Sequence, residues 1–440
     1  MIGWFGIVRL GLVQASLGAI VVLATSTLNR IMVVELALPA IIPGALVGWH
    51  YGVQLLRPRW GHGADIGGRR SPWILGGIVA LALGGVGAAA STALMADQLA
   101  AGIVAGVLAF FVIGVGVGAA GTNLLALLAT RVPPARKAAA AAIVWIMMIF
   151  GFVVTALTVG EMLDPFSMER LLAVAAGVGV VAIALTFVAL AGMETGDRHA
   201  VAAPSRRKRD FGAALKEVWS DAQARRFSVF VFVSMLAYSA QDLILEPFGG
   251  LLFGMTPGET TKLSGVQNGG VLIGMIATAV IGSTIGKSRA TFMRGWTVFG
   301  CVASALALAA LAGAAITPGA APLEPLVFAL GVANGAFAVA AIGSMMTLAS
   351  AGAPGREGTR MGVWGAAQAI AFGLGGFLGA ASLDVAREAF GEPTKAFALV
   401  FAVEGAIFVA AAVLALRVGQ TTADSMTLPA FPAGDAIAAE

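Results

Sequence analysis

The amino-acid sequence predicts an all-α polytopic membrane protein, with twelve transmembrane helices arranged as two pseudo-symmetric six-helix halves. Three observations carry this expectation. The chain is 59% hydrophobic and only 11% charged, whereas a soluble domain carries about a quarter charged residues. Apolar runs of about 20 residues, the length needed to cross a bilayer, recur along all 440 residues. The lysines and arginines collect in alternate connections between those runs.

In chain order, the runs of the first half lie near 10–28, 34–56, 73–93, 102–128, 139–160 and 171–191. Those of the second lie near 227–247, 263–283, 292–315, 323–349, 361–381 and 394–416. Pro39 and Pro43 fall inside the second run and predict a kink or break there. The first run lacks a small-residue cleavage pattern and reads as a retained helix. Twelve crossings put both chain ends on one side. Of the 27 basic residues, 22 fall in connections on that side, among them Arg57, Arg59, Arg69, Arg70, Arg206, Arg207, Lys208 and Arg209. Arg30, Arg170, Lys262, Arg387 and Lys395 fall on the other. Positive residues favour the cytoplasmic side, so both termini are expected in the cytoplasm. Removing any one helix would reverse every later connection and spoil the separation.

The chain divides into an N-terminal half (1–191), a linker (192–226), a C-terminal half (227–416) and a tail (417–440) that reads as disordered. In the linker, the basic run 205–209 precedes Phe211, Leu215, Val218 or Trp219, and Ala222 at helical spacing. This pattern suits a helix lying at the membrane surface, as a simple tether or as a docking surface for a partner. The halves also resemble each other in sequence. Gly114-Val-Gly-Val-Gly is followed by Arg136, Lys137 and Trp145; Gly331-Val-Ala-Asn-Gly is followed by Arg356, Arg360 and Trp364. The glycines are 217 residues apart and the tryptophans 219, as expected of a duplicated unit.

Between the second and third runs, Gly61, Asp65, Gly68, Arg69 and Arg70 form G-x-x-x-D-x-x-G-R-R. This resembles the signature loop of the major facilitator superfamily, and it implies that fold. Asp65 is then expected to accept hydrogen bonds from a helix N-terminus in the opposite half, with the arginines holding the inner face together. The corresponding loop near Gly282 keeps Gly282, Gly286 and Arg289 but lacks the aspartate. It also approaches a phosphate-binding loop, but Ile281 occupies the first required glycine position, so no nucleotide is expected.

A narrower resemblance rests on LNRIMVVELALPAIIPGALVGWHYGVQLLRPRWGHGADIGGRRSPWI from Leu28, AAGTNLLALLAT at 119–130, VWIMMIFGF at 144–152 and QDLILEPFGG at 241–250. Together these are similar to the PucC family over essentially all twelve spans. The resemblance implies a bacterial inner (intracytoplasmic) membrane protein that acts as a chaperone in assembling light-harvesting complexes, and it leans toward the core-antenna branch. It implies bacteriochlorophyll as a bound or transferred pigment. The partners it implies are antenna α and β polypeptides, with the core complex and pigment-biosynthesis proteins beside them. A proton-coupled alternating-access transporter of a small molecule or pigment precursor is the alternative.

Ionisable groups within the bilayer must be neutral, paired or in a wet cavity. Glu35, near the outer end of the second run, is placed to pair with Arg30. His50 and Gln54 are four apart on one helical face, with Trp49 and Tyr51 alongside. A neutral imidazole there suits the magnesium of a pigment flanked by aromatic rings, and it equally suits a hydrogen bond to a neighbouring helix. Asp242 and Glu246, also four apart, suit a proton or cation site, a basic partner or plain edge polarity. Glu404 lies mid-helix and needs a proton or a partner on another helix. Glu161 and Asp164 fall beyond the membrane edge. Cys301, the single cysteine, rules out an internal disulfide or a cysteine metal cluster. The sequence has neither an aspartate-rich diphosphate motif nor a nucleophile arrangement at catalytic spacing. No catalytic residue, metal site, enzymatic activity or nucleic-acid partner is therefore expected.

Overall fold

A computed structural model describes residues 2–57, 60, 69–133, 136–194, 216, 219–284, 289–350 and 357–417. The described residues form helices and their connections, with no strand among them. In order these are α1 (Trp4–Glu35), α2 (Ile41–Val53, prolonged by the 3-10 turn Gln54–Leu56), α3 (Ser71–Asp97), α4 (Leu99–Arg131), α5 (Lys137–Leu163) and α6 (Met168–Leu190). The second set is α7, in two segments (Ala222–Asp242 and Leu245–Phe253), α8 (Pro257–Thr284), α9 (Arg289–Ile316), α10 (Leu323–Ser350), α11 (Glu357–Phe390) and α12 (Pro393–Arg417). Eleven of them are long and apolar enough to cross a membrane. The remaining one, α2, has 13 residues before its 3-10 turn. This is a multi-pass membrane protein.

The boundary between the first two helices differs from the sequence expectation. Residues 29–35 continue α1 through two π-helical turns, Leu23–Thr27 and Ile31–Glu35, so Glu35 ends α1 and does not belong to α2. Pro39 forces the break, since a residue before proline avoids the helical region, and Ala37 adopts φ +50° in the intervening loop. Proline is tolerated in the first turn of a helix, and Pro43 accordingly sits at the start of α2 without kinking it. Pro257 and Pro393 open α8 and α12 in the same way. In α7 the helix breaks at Leu243 and Ile244. The expected linker helix falls largely outside the described residues, as do the basic run 205–209 and the tail after Arg417. Of its apolar positions, Trp219 is exposed and Ala222 begins α7.

Backbone contacts fix which helix ends share a face. The Ile2 N–H donates to the Arg131 carbonyl at 2.9 Å, placing the start of α1 beside the end of α4. We call this side the terminal face, and the opposite side the far face. One apolar core is built almost wholly from residues 7–190, and a second from residues 227–415 joined by Val33 and Ala40. The two meet along two seams, α2 with α11 and α5 with α8. A Cβ on Gly44 would lie 2.8 Å from Ala380 Cβ, and one on Gly265 3.0 Å from Leu157. These seams therefore depend on small residues, as membrane helix contacts commonly do.

The glycines of the sequence repeat make equivalent contacts. A Cβ on Gly114 of α4 would lie 2.7 Å from the His50 carbonyl oxygen of α2, and one on Gly331 of α10 would collide with the Gln267 carbonyl oxygen of α8. The separation is 217 residues for both glycines and both carbonyls, so the second and fourth helices of each half cross in the same way. Trp145 is half-buried, and Trp364 is buried.

On the terminal face, Glu194 caps α3. Its carboxylate accepts the Arg70 N–H at 3.0 Å and the Ser71 N–H at 2.8 Å. Partial burial pushes its carboxyl up. The Ser71 and Arg70 amides, the Ser71 hydroxyl and Arg131 outweigh that, so the carboxyl is held below its ordinary value. The cap therefore stabilises the fold at pH above the unfolded value of about 4.3. It is lost as pH falls through the lowered folded value. Glu194→Gln is expected to cost about 0.5–1 kcal/mol at neutral pH, after screening by solvent, and to flatten the acid limb of stability. Thermal unfolding in mild detergent between pH 3 and pH 7 measures both.

Candidate functional site

The π turns of α1 and the break in α7 lie where the two halves meet near the far face, and they bring polar groups together. Ser26 and Ser264 share a hydrogen bond of 3.0 Å, and Thr27 and Thr261 one of 3.2 Å. Breaking α7 frees the Leu243 carbonyl, and Asn29 Nδ2 donates to it at 2.6 Å. Arg30, only 2% exposed, pairs with Glu35 and donates through Nη2 to the Met255 carbonyl at 2.7 Å. The guanidinium thus ties the end of α1 to the end of α7. A π turn inserts one residue into the helix ladder, and here it helps turn Ser26, Thr27, Asn29 and Arg30 toward the opposite half.

The two carboxylates of α7 flank its break and face different surroundings, although their spacing suggested one helical face. Glu246 is buried among Ser26, Arg30 and Thr260, and its oxygens make no hydrogen bond of good geometry. Asp242 is half-buried and lies within electrostatic reach of Tyr51, Tyr238 and Glu404. Tyr51 and Tyr238 are the only two tyrosines in the chain. Both pack against Phe372 of α11, at ring-centroid distances of 5.7 and 5.8 Å. Helices α2, α7 and α11 therefore assemble three rings and one carboxyl between the halves, a setting that suits a flat, largely apolar ligand bearing a hydrogen-bonding or cationic group. The sequence signal for this cluster was the scarcity of tyrosine, which the reading from spacing did not use.

His50 is 1% exposed, and both ring nitrogens are engaged. Nδ1 faces the Val47 carbonyl at 2.9 Å, and Nε2 faces Gln54 Nε2 at 2.9 Å. A carbonyl only accepts and an amide N–H only donates. This assigns the proton to Nδ1 and leaves the Nε2 lone pair taken by Gln54, whose Oε1 accepts from Arg57. A metal held by Nε2 would require Gln54 to let go. Trp49 points elsewhere. It is 44% exposed, donates through Nε1 to the Val107 carbonyl at 3.2 Å and stacks on Phe111 with centroids 6.3 Å apart. His50, Gln54 and Trp49 therefore do not line one surface.

Glu404 of α12 is 2% exposed, and neither of its oxygens has a hydrogen-bond partner. It borders a groove of about 570 Å3 between α7, α11 and α12, walled by Leu236, Gly379, Val385, Leu399 and Val403. In the loop motif, Gly61, Asp65 and Gly68 lie outside the described residues, so the expected Asp65 cap falls outside them too. Arg69 is exposed, and Arg70 contributes its backbone N–H to Glu194. Among the described residues, no group of three or more histidine, cysteine or acidic side chains is placed to hold a metal ion.

Spacing along the chain does not show the cross-half contacts of two carboxylates. Asp384 of α11 accepts the Ala40 N–H at 3.0 Å and the Ile41 N–H at 2.7 Å, at the start of α2. Asp164, just after α5, accepts the Thr256 hydroxyl at 2.8 Å and the Gly258 N–H at 3.3 Å, at the start of α8. Asp164 directly follows Leu163, the last residue of α5, and its partners belong to the other half.

Comparison with known proteins places this architecture. The family model described as PUCC protein matches residues 27–423. The chain is 51% identical over 417 residues to the bacteriochlorophyll synthase 44.5 kDa chain of Rhodobacter capsulatus, covering 95% of this chain and 96% of that one. It is 29% identical to Protein PucC of Cereibacter sphaeroides, covering 84% and 81%. In fold it is similar to a bacterial homologue of the human lysosomal transporter Spinster (TM-score 0.67, 14% identity, covering 97% of this chain and 98% of that one). It is also similar to a D-xylose–proton symporter (TM-score 0.68, 14% identity, covering 93% and 97%). These likenesses show the major facilitator fold.

Proposed function

Because this chain belongs to the PucC family, we propose that it is a membrane assembly factor for photosynthetic light-harvesting antenna complexes, handling bacteriochlorophyll, newly inserted antenna polypeptides, or both. The observation that carries this reading is the end-to-end relationship to a protein named for bacteriochlorophyll. The architecture supports it. Delivery of an apolar pigment needs positioning and release, and no covalent step. A groove between α7, α11 and α12 offers lateral access from lipid, so that such a molecule need not cross water. The ring cluster of Tyr51, Tyr238 and Phe372 beside Asp242 offers a second place for a flat ligand. We infer a bacterial inner-membrane location from the family relationship, and cytoplasmic termini from the bias of lysine and arginine toward alternate connections in the sequence.

The test is affinity purification in mild detergent, followed by pigment spectra and identification of small membrane proteins that copurify. Antenna polypeptides or bacteriochlorophyll bound to the protein are expected. Unchanged antenna assembly in a deletion strain would overturn the proposal. His50→Leu is expected to lower stability by about 1–3 kcal/mol, since it leaves the buried Gln54 amide unpaired, and to keep the pigment bound per folded protein unchanged. Selective loss of pigment at unchanged stability would instead make His50 a ligand.

The fold likeness to transporters favours a second reading, proton-coupled alternating access for a small molecule or pigment precursor. Substrate-dependent proton flux in sealed vesicles separates it from assembly, because an assembly factor needs none.

A further inference from the structure

We propose that Asp164 and Asp384 form a paired latch that holds the far face shut, and that this face opens when both carboxylates let go. The two occupy repeat-related places. Asp164 follows the fifth helix of its half and Asp384 lies in the last turns of the fifth helix of the other, 220 residues apart. Each reaches across the seam to the first turn of the opposite half's second helix. The amide acceptors are Asp384 for Ala40 and Ile41 and Asp164 for Gly258, and 217 residues separate Ile41 from Gly258.

The first amides of a helix have no partner within it, and its N-terminus carries partial positive charge. A carboxylate set against them is a strong contact that needs no matching side chain. Glycine at 258 is part of the device, since a Cβ there would collide with the Asp164 carboxylate. The Asp164 end is reinforced by the Thr256 hydroxyl and by the neighbouring Lys262–Glu161 pair at 2.8 Å.

The pairing has a mechanical consequence. The contacts are related by the same repeat that relates the halves, and they sit on the two seams, α2 with α11 and α5 with α8. Rotation of one half against the other that opens the far face strains both together. Either carboxylate alone still resists the motion, so the two release as a unit.

Cysteine chemistry tests this cleanly. Cys301 is the only native thiol and is fully buried in the C-terminal half. Ser264 is 3% exposed at the closed far-face seam, and Ser264→Cys is close to isosteric. Labelling of Ser264→Cys by a membrane-impermeant maleimide is measured in sealed vesicles of both orientations. It is compared between the intact latch, Asp164→Asn, Asp384→Asn and the double variant. Addition from the far-face side is expected to label the double variant roughly tenfold faster, and each single variant less than threefold faster. Cys301 remains protected throughout. Unchanged labelling of position 264 in the double variant overturns the latch, as do single variants whose effects already equal that of the double. If Cys301 becomes reactive in the double variant, the fold has been lost there and the single variants decide. A selective rise at 264 in both supports the latch, and no rise in either overturns it.

Discussion

Arg30→Met is expected to destabilise the protein by about 3 kcal/mol, the low end of the range for removing one member of a buried ion pair, since Glu35 is 34% exposed. Arg30 is 2% exposed and is the cation beside both Glu35 and Glu246. Methionine fills much of the volume but abandons the Met255 carbonyl and leaves two carboxylates near the far face without a countercharge. The cost lies in those stranded groups more than in the lost contact. Adding Glu35→Gln and Glu246→Gln to Arg30→Met should therefore recover more than half of the loss. Thermal unfolding in detergent, followed by tryptophan fluorescence, measures both steps. Equal stability of the single and triple variants would show that the loss came from packing alone.

Gly331→Val is expected to prevent α8 and α10 from docking, at a cost of about 3 kcal/mol or more, seen as loss of monodisperse protein on size exclusion. The obstacle at this position is the Gln267 carbonyl of the facing helix. Backbone cannot step aside as a flexible side chain can. Gly335 meets the Val271 carbonyl one turn later in the same way, so the helices cannot slide to relieve the clash. Gly114→Val, the repeat-related change, should be milder, because its Cβ would sit 2.7 Å from the His50 carbonyl. Gly313→Val, with open space around the site, is the control expected to leave assembly intact.

Most of the architecture was legible from apolar run length and from the distribution of arginine and lysine, because the bilayer imposes both. The glycine repeat was legible for a related reason, since close helix crossings admit little else. The limits appear at particular residues. Pro39 and Pro43 announce a disturbance, but the second apolar run bridges the loop between α1 and α2, so it takes in Val34 and Glu35, which end α1, and leaves residues 29–33 as a connection. The spacing of Asp242 and Glu246 assumed an unbroken helix, although Pro247 has no N–H to give the Leu243 carbonyl and so marks the break at Leu243 and Ile244. His50 carried two compatible readings, and only its neighbours show that both nitrogens are engaged. Asp164, Glu194 and Asp384 each cap another helix at long range, a relationship that spacing along the chain does not encode.

The π turns in α1 also constrain how the chain tolerates changes in length. Each accommodates one residue beyond the regular ladder. A single deletion between Leu23 and Glu35 could be absorbed as an ordinary α-helix with no broken backbone bond. Every side chain beyond it would then rotate by about 100° about the helix axis, and a deletion within Leu23–Thr27 would carry Arg30 away from the Met255 carbonyl. An insertion or deletion in this stretch thus acts as a dial on which groups face the opposite half, and relatives that differ in length here should differ in what joins their far faces.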